Sequence, residues 1–323
     1  MKILFIGGTG NISLTLSKSL LNEGHQLTLL NRSGYRADLE GANFLQADAY
    51  THDADELLKG QNWDVVVNWV AFTEAHVQQD IRRFNTATKQ YIFISSASCY
   101  KKPCPGLFVT EDTPLENPFW QYSRDKIACE KALVRANQDQ HFPVTIVRPS
   151  HTYSTVIPIT IGGWDEYTAI DRIKAGKPIL VQGDGTSLWT ITHASDFAIG
   201  FKGLLGCTEA IGEAFHITSD EVLTWNEIYQ QTAEAIGCEA KIVHVSTDEI
   251  CRLDPEYIGS LWGDKSFCAV FDNSKIKRYV PEFEAKVPYR EGIKQTIRWF
   301  EADKSRQKIN VETETLMKAL TGV

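Results

Sequence analysis

The 323-residue chain is 43% hydrophobic and 23% charged, a globular balance with ample length for a sizeable core. Its net charge of −8 argues against a nucleic-acid backbone or an anionic lipid surface as a main partner. No signal-peptide pattern precedes the strand-like Lys2-Ile3-Leu4-Phe5-Ile6, the densest apolar run (Val65 to Phe72) is too short to cross a bilayer, and seven scattered cysteines suit free thiols in a reducing cytoplasm.

Strands and helices alternate through the first half. Lys2 to Ile6 is an apolar strand bounded by glycines, and Ile12 to Asn22 carries Ile12, Leu16, Leu20 and Leu21 at helical spacing, with Gly24 as a stop. Gln26 to Leu30 reads as the next strand and Asn43 to Gln46 as a third. Asp64 to Trp69, Tyr91 to Ser95 and Val144 to Val147 read as buried strands. This rhythm predicts a Rossmann-type α/β fold, a doubly wound parallel sheet with helices on both faces. After Arg148-Pro149 helical stretches dominate: Trp164 to Ala175, Ser195 to Leu205, Trp225 to Ile236 and Gly292 to Ala302. Short strands are expected near Ile179 to Val181 and Ala214 to Ile217. The expected division is a dinucleotide-binding domain over 1–150 and a smaller α/β substrate lobe over 151–323, with segments near 191–220 returning to the first domain. The charged tail from Lys304 reads as a surface helix or a frayed end.

The chemistry lies in two places. Gly7-Gly8-Thr9-Gly10 follows the first strand directly, where glycines let the backbone approach a pyrophosphate and the helix starting near Asn11 and Ile12 offers N–H groups. Ser13 stands where a third glycine is usual. Tyr122 and Lys126 lie four apart on a helix and share one face, so the ammonium is expected to lower the phenol pKa and make Tyr122 a usable acid/base. Together they imply redox chemistry on an alcohol or carbonyl with a nicotinamide cofactor. At the end of the second strand Asn31-Arg32-Ser33 offers no carboxylate for a ribose 2′-hydroxyl, and Arg32 favours NADP over NAD. Asp48 is a candidate acceptor for the adenine amine or a turn former. Ser95-Ser96-Ala97-Ser98-Cys99-Tyr100 follows a buried strand, where a hydroxyl faces the ligand crevice or caps the chain. Cys99 and Cys104 lie close, but no histidine or further cysteine completes a metal set.

These motifs, with Arg148-Pro149, Gly183-Asp184-Gly185-Thr186, His193-Ala194-Ser195-Asp196 and Phe271-Asp272-Asn273-Ser274-Lys275, stand in the order of the extended short-chain dehydrogenases/reductases. The chain resembles that NAD-dependent epimerase/dehydratase superfamily over nearly its whole length. Its glycine turn and Asn31-Arg32 also resemble the atypical branch that includes the chloroplast stem-loop binding proteins. The resemblance implies Tyr122 as acid/base, Lys126 as its partner and holder of the nicotinamide ribose, and Ser96, four residues before Tyr100, as the catalytic hydroxyl ahead of Ser95 and Ser98. Gly7, Thr9, Gly10, Asn11, Ile12, Asn31, Arg32, Asp48 and Lys126 form the expected cofactor set.

Two departures narrow the chemistry. Nucleotide-sugar dehydratases of the family usually follow the catalytic hydroxyl with Asp-Glu, whereas Ala97-Ser98 stand here and cannot serve an elimination. Where such enzymes often carry a diphosphate-gripping Arg, this chain has Trp189, and an indole makes no bidentate phosphate contact. The expected substrate is a smaller sugar or polyol derivative, undergoing oxidation, reduction or epimerisation, and a homodimer is the candidate assembly. His193 faces the substrate or packs, with packing favoured, and Trp262-Gly263-Asp264-Lys265 lines the pocket or, as the favoured reading, forms a lid or core anchor. Glu74 is divided between the crevice and a solvated loop. The rival class is a non-catalytic dinucleotide sensor or RNA binder on the same fold.

Overall fold

The computed structural model describes residues 1–323. In chain order its sheet and flanking helices are β1 (Lys2–Ile6), α1 (Ser13–Asn22), β2 (Gln26–Asn31), β3 (Asn43–Gln46), α2 (His52–Leu58), β4 (Trp63–Asn68), α3 (Glu74–Phe84), β5 (Thr88–Ile94), α4 (Gln121–Gln140), β6 (Val144–Pro149), α5 (Ala194–Leu204) and β7 (Ala214–Ile217). The seven strands form one sheet in the order β7-β6-β5-β4-β1-β2-β3, and every neighbouring pair is parallel. This is the expected Rossmann-type fold. The strand order reverses between β1 and β4, where Ile3 pairs with Val65 and Ile6 with Asn68. Ligands of such sheets bind in the crevice beyond the strand ends at that point.

The sheet is parallel because its strands are buried on both faces. Ile3 to Ile6, Val65 to Val67 and Tyr91 to Phe93 have no exposed surface. Alternate residues feed two apolar layers: Phe5, Leu16, Val65, Phe197 and Phe201 on one face, and Leu4, Val66, Val77, Tyr91 and Leu133 on the other. The chain beyond residue 150 comes back to this body through α5 and β7, and β7 extends the sheet edge with Phe215 opposite Val147. The remaining second half packs around Ile170, Leu180, Trp225, Tyr229, Ile293 and Ile297. There Ile179–Gln182 runs parallel to Ile242–Val245.

One element differs from expectation, and one open alternative is decided. The helix expected from Trp164 begins at Thr168, because Trp164 sits in the left-handed region at φ 62° and exchanges backbone hydrogen bonds with Ile157. The charged tail forms a helix over Val311–Thr321 that seats Leu316 and Met317 in the second core, with Asn310 accepting from the Glu312 and Thr313 N–H groups. No helix is long and apolar enough to cross a membrane.

Candidate active site

The C-terminal ends of β1, β4, β5 and β6 open into one cavity of about 830 Å³, lined by residues from both halves of the chain. At its floor is the turn after β1. Gly7 and Gly8 hold φ values of 96° and 93°, and a Cβ on Gly8 would stand 2.6 Å from Leu29 Cδ2, so no other residue fits. The Ser17 hydroxyl donates to the Gly8 carbonyl (2.8 Å). Ser13 Oγ accepts from Gly10 N–H (3.0 Å), so the serine in place of a third glycine closes the turn. The Asn11 and Ile12 N–H groups make no intramolecular hydrogen bond. A tight glycine cradle with free N–H groups at a helix entrance fits a dinucleotide pyrophosphate. Gly7, Thr9, Gly10, Asn11 and Ile12 all line the cavity. The Asn11 side chain, however, is spent on the second half of the chain, donating to Thr152 O (2.8 Å) and accepting from Thr155 N–H (2.9 Å).

Asn31, Arg32 and Asp48 do not line the cavity. Buried Asn31 accepts from Gly34 N–H (2.6 Å) and shapes the loop after β2. Its Nδ2 is buried without a partner. Arg32 is exposed, and its guanidinium makes no hydrogen bond or ion pair within the chain. Asp48 forms a turn, accepting from Tyr50 N–H. A neighbour not anticipated from sequence, Arg36, pairs with Asp38 and donates to the Thr9 carbonyl (3.2 Å), bringing a guanidinium to the glycine turn.

Ser96, Tyr122 and Lys126 come together at the inner wall. Asn68, at the end of β4, accepts from the Val70 and Ala71 N–H groups and so sets the turn that presents Ala71 O. Lys126 Nζ donates to that carbonyl (2.6 Å) and to Ile94 O at the end of β5 (2.8 Å). It lies over the Phe72, Phe93 and Tyr122 rings at 4.7, 4.9 and 5.9 Å. Burial lowers the ammonium to about 8.

The expected electrostatic coupling is corrected here. Burial pushes the Tyr122 phenol up to about 12, and the group that opposes this is the Ser96 hydroxyl, not Lys126. The i, i+4 spacing puts both residues on one face as expected, but Lys126 is turned toward two backbone carbonyls.

The serines separate by their partners. Ser95 donates to Glu130, which is held in a buried ion pair by Arg148 (2.6 Å). The Arg148-Pro149 motif thus braces the wall from behind. Ser98 is bonded to both Ser96 (2.8 Å) and Ser123 (2.7 Å). Ser96 is the partly exposed member at the head of this hydroxyl chain. Cys99 is buried, its thiol pushed up to about 12 by burial.

The outer end of the cavity comes mostly from the second half. His151 stacks on Trp164 at 5.4 Å, and burial holds the imidazole neutral, lowering it to about 3. Trp189 is buried in this wall with its indole N–H on Phe267 O (2.8 Å). His193 packs, accepting from Ser195 and capping α5. Glu74 opens α3, exposed and outside the cavity. Of the Trp262–Lys265 segment, Asp264 and Lys265 take the pocket-lining alternative. They line the cavity with Lys102, whereas Trp262 packs on Phe119 and Phe267. Lys102 had no such signal in the sequence.

Comparison with known proteins agrees with this fold. The sequence model described as the NAD dependent epimerase/dehydratase family matches residues 3–217. The chain is 30% identical over 264 residues to the chloroplast stem-loop binding protein of 41 kDa b from Arabidopsis thaliana, covering 77% of this chain and 67% of that one. It is 24% identical to 2'-dehydrokanamycin reductase from Streptomyces kanamyceticus, covering 88% and 81%. Among solved structures, an epimerase from Methanothermobacter thermautotrophicus superposes with a TM-score of 0.76 at 17% identity, covering 94% and 93%. UDP-glucuronic acid 4-epimerase from Bacillus cereus, in complex with NAD, does so at 0.74 and 19%, covering 95% and 100%.

Proposed function

The chain belongs to the NAD-dependent epimerase/dehydratase family, and from that premise we propose that it is an NAD(P)-dependent oxidoreductase or epimerase acting at a carbinol or carbonyl carbon of a sugar or polyol derivative. The observation that carries the reading is the convergence of Ser96, Tyr122 and Lys126 on the same cavity as the glycine turn. Hydride exchange with a carbinol carbon is the chemistry that a bound nicotinamide supplies. In this assignment the Asn11 and Ile12 N–H groups hold the pyrophosphate, and Lys126 holds the nicotinamide ribose from its seat between two strand ends. Tyr122 gives or takes the proton at the substrate oxygen, and Ser96 orients that oxygen. A phenol pushed up to about 12 is protonated at neutral pH, which suits it to act as the acid in carbonyl reduction. The free Arg32 guanidinium and the missing carboxylate at the end of β2 favour NADP. Ala97 and Ser98 argue against water loss, and Trp189 against a nucleotide-diphosphate grip. Seven free cysteines support a cytoplasmic location.

A second reading, a non-catalytic dinucleotide sensor or RNA binder, is favoured by the likeness to the stem-loop binding protein. The net charge of −8 and the retained Tyr122–Lys126 pair oppose it. The test is the absorbance of purified protein for bound nicotinamide, followed by turnover on a panel of sugars and polyols. Absence of turnover on every member, with tight and salt-sensitive binding of a stem-loop RNA, would replace the first reading with the second.

A further inference from the structure

Lys102 and Asp264-Lys265 lie far apart in sequence but meet in the cavity wall. Lys102 Nζ is 2.6 Å from Asp264 Oδ1, and Lys265 Nζ is 3.2 Å from Asp264 Oδ2. The Lys102, Lys265 and Asp264 side chains are only 6%, 12% and 10% exposed. Burying two ammoniums against one carboxylate leaves a net positive charge in a wall with little water, a costly arrangement unless something compensates it. Two ammoniums carry six N–H donors. Asp264 takes one from each, and Ala97 O takes one from Lys102 at 3.4 Å. The other three have no acceptor in the chain. Lys265 also lies over the Trp120 and Trp189 rings at 5.6 and 5.7 Å, both cavity-lining.

Local structure favours deliberate placement. Leu261–Lys265 forms a single π-helical turn, an irregularity often found at functional sites. It is pinned by Asn117 Nδ2 donating to Gly263 O (2.7 Å). The widened turn brings the adjacent Asp264 and Lys265 to the same cavity. The cluster is close to the chemistry, since the Asp264 charge acts on the Tyr122 hydroxyl.

We infer that the substrate carries a carboxylate and that Lys102 and Lys265 seat it, with Asp264 holding the two ammoniums in place. This rests on the function proposed above and specifies its substrate as a sugar acid or polyol acid. The charge decides between anions. Within the Lys102–Asp264–Lys265 cluster, one unbalanced ammonium matches a monoanionic carboxylate, whereas a phosphate dianion would leave the cluster with a net negative charge. Trp120, Trp164 and Trp189 supply apolar faces for the C–H surfaces of the carbon skeleton.

The test is binding rather than turnover. Protein saturated with nicotinamide cofactor is titrated by calorimetry with D-glucuronate, D-galacturonate and D-gluconate, with D-glucose and D-galactose as neutral controls and D-glucose 6-phosphate as the phosphate control. At least one acid is expected to bind about ten-fold or more tightly than the neutral sugars, the scale of a charge-assisted hydrogen bond. Lys265→Met and Lys102→Met each reduce that preference, and Asp264→Asn, which adds net positive charge, moves it toward the phosphate. The opposite direction of the Asp264 variant separates charge recognition from general loss of fold. Equal or undetectable binding of acids and neutral sugars overturns the inference, as does a preference unchanged in both lysine variants. Tighter binding of the phosphate by the wild type overturns the carboxylate assignment. Failure of the catalytic reading looks different: the acid preference persists, and persists in Tyr122→Phe, with no hydride transfer on any panel member.

Discussion

Replacing Lys126 by Met isolates what the buried ammonium does to stability. Burial lowers Lys126 from an ordinary 10.5 to about 8. At about 1.4 kcal/mol per pH unit between those values, the charged form costs roughly 3 kcal/mol of stability at neutral pH. Below pH 8 both folded and unfolded states hold the proton, and the cost is present in full. Between pH 8 and 10.5 the unfolded state holds more protons than the folded one, so stability rises with pH. Met fills similar volume and removes this dependence, but it leaves Ala71 O and Ile94 O without their donor. Each orphaned carbonyl costs about 1–3 kcal/mol, so the variant is expected to match the wild type or fall up to roughly 3 kcal/mol below it at pH 7. The informative quantity is the difference between the two proteins. As wild-type Lys126 discharges, that gap widens in the wild type's favour by roughly 2 kcal/mol between pH 7 and pH 9.5. Urea unfolding of both cofactor-free proteins across this range measures it, and ionisations of tyrosine and cysteine common to both cancel. A gap that stays constant with pH would show that Lys126 does not discharge in this range and would refute the reasoning.

Tyr122→Phe is expected to reduce turnover by roughly 10²–10⁴-fold, the usual value of positioned proton transfer, while cofactor affinity measured by titration changes little; near-normal turnover would remove the phenol from the mechanism. Arg32→Ala is expected to weaken NADPH binding much more than NADH binding, and an equal loss for both would show that this guanidinium does not read a 2′-phosphate. The product of the true substrate is expected to differ from it by two hydrogens, lighter after oxidation and heavier after reduction, or to be unchanged in mass after epimerisation. A product lighter by one water, seen by mass spectrometry, would point to an acid/base outside the usual position. Asp264 would then be the first residue to replace, because it lines the cavity and Glu74 does not.

The sheet was legible because strands buried on two faces are nearly continuous apolar runs, and Val65 to Val67 can be little else. The glycine turn, the serines after β5 and the Tyr122–Lys126 spacing were legible for a related reason: each depends on residues close in sequence at a strand end or along one helix. Contacts made across the fold were hidden. Lys102 meets Asp264 only because the loop after β5 and the π-helical turn share a wall, and neither segment has a pattern of its own. The left-handed Trp164 could not be foreseen from a residue type that disfavours that conformation. The expected pull of Lys126 on Tyr122 failed for a similar reason. Spacing fixes which face a side chain occupies, but Ala71 O and Ile94 O, supplied by other elements, decide where the ammonium goes.

Asn11 has a consequence for redesign. Its amide joins the glycine turn to the backbone of residues 152–155, using both donor and acceptor. The glycine floor proposed for the dinucleotide and Thr152 in the rim proposed for the substrate are therefore joined, so a shift of one is transmitted to the other. Transplanting a glycine turn from a relative with another residue at position 11 would sever that joint as well as alter cofactor preference. An exchange of cofactor specificity in this chain should therefore retain Asn11 or move the 152–155 loop with the turn; otherwise the expected penalty is a loosened substrate rim, appearing as a higher KM for substrate despite successful cofactor exchange.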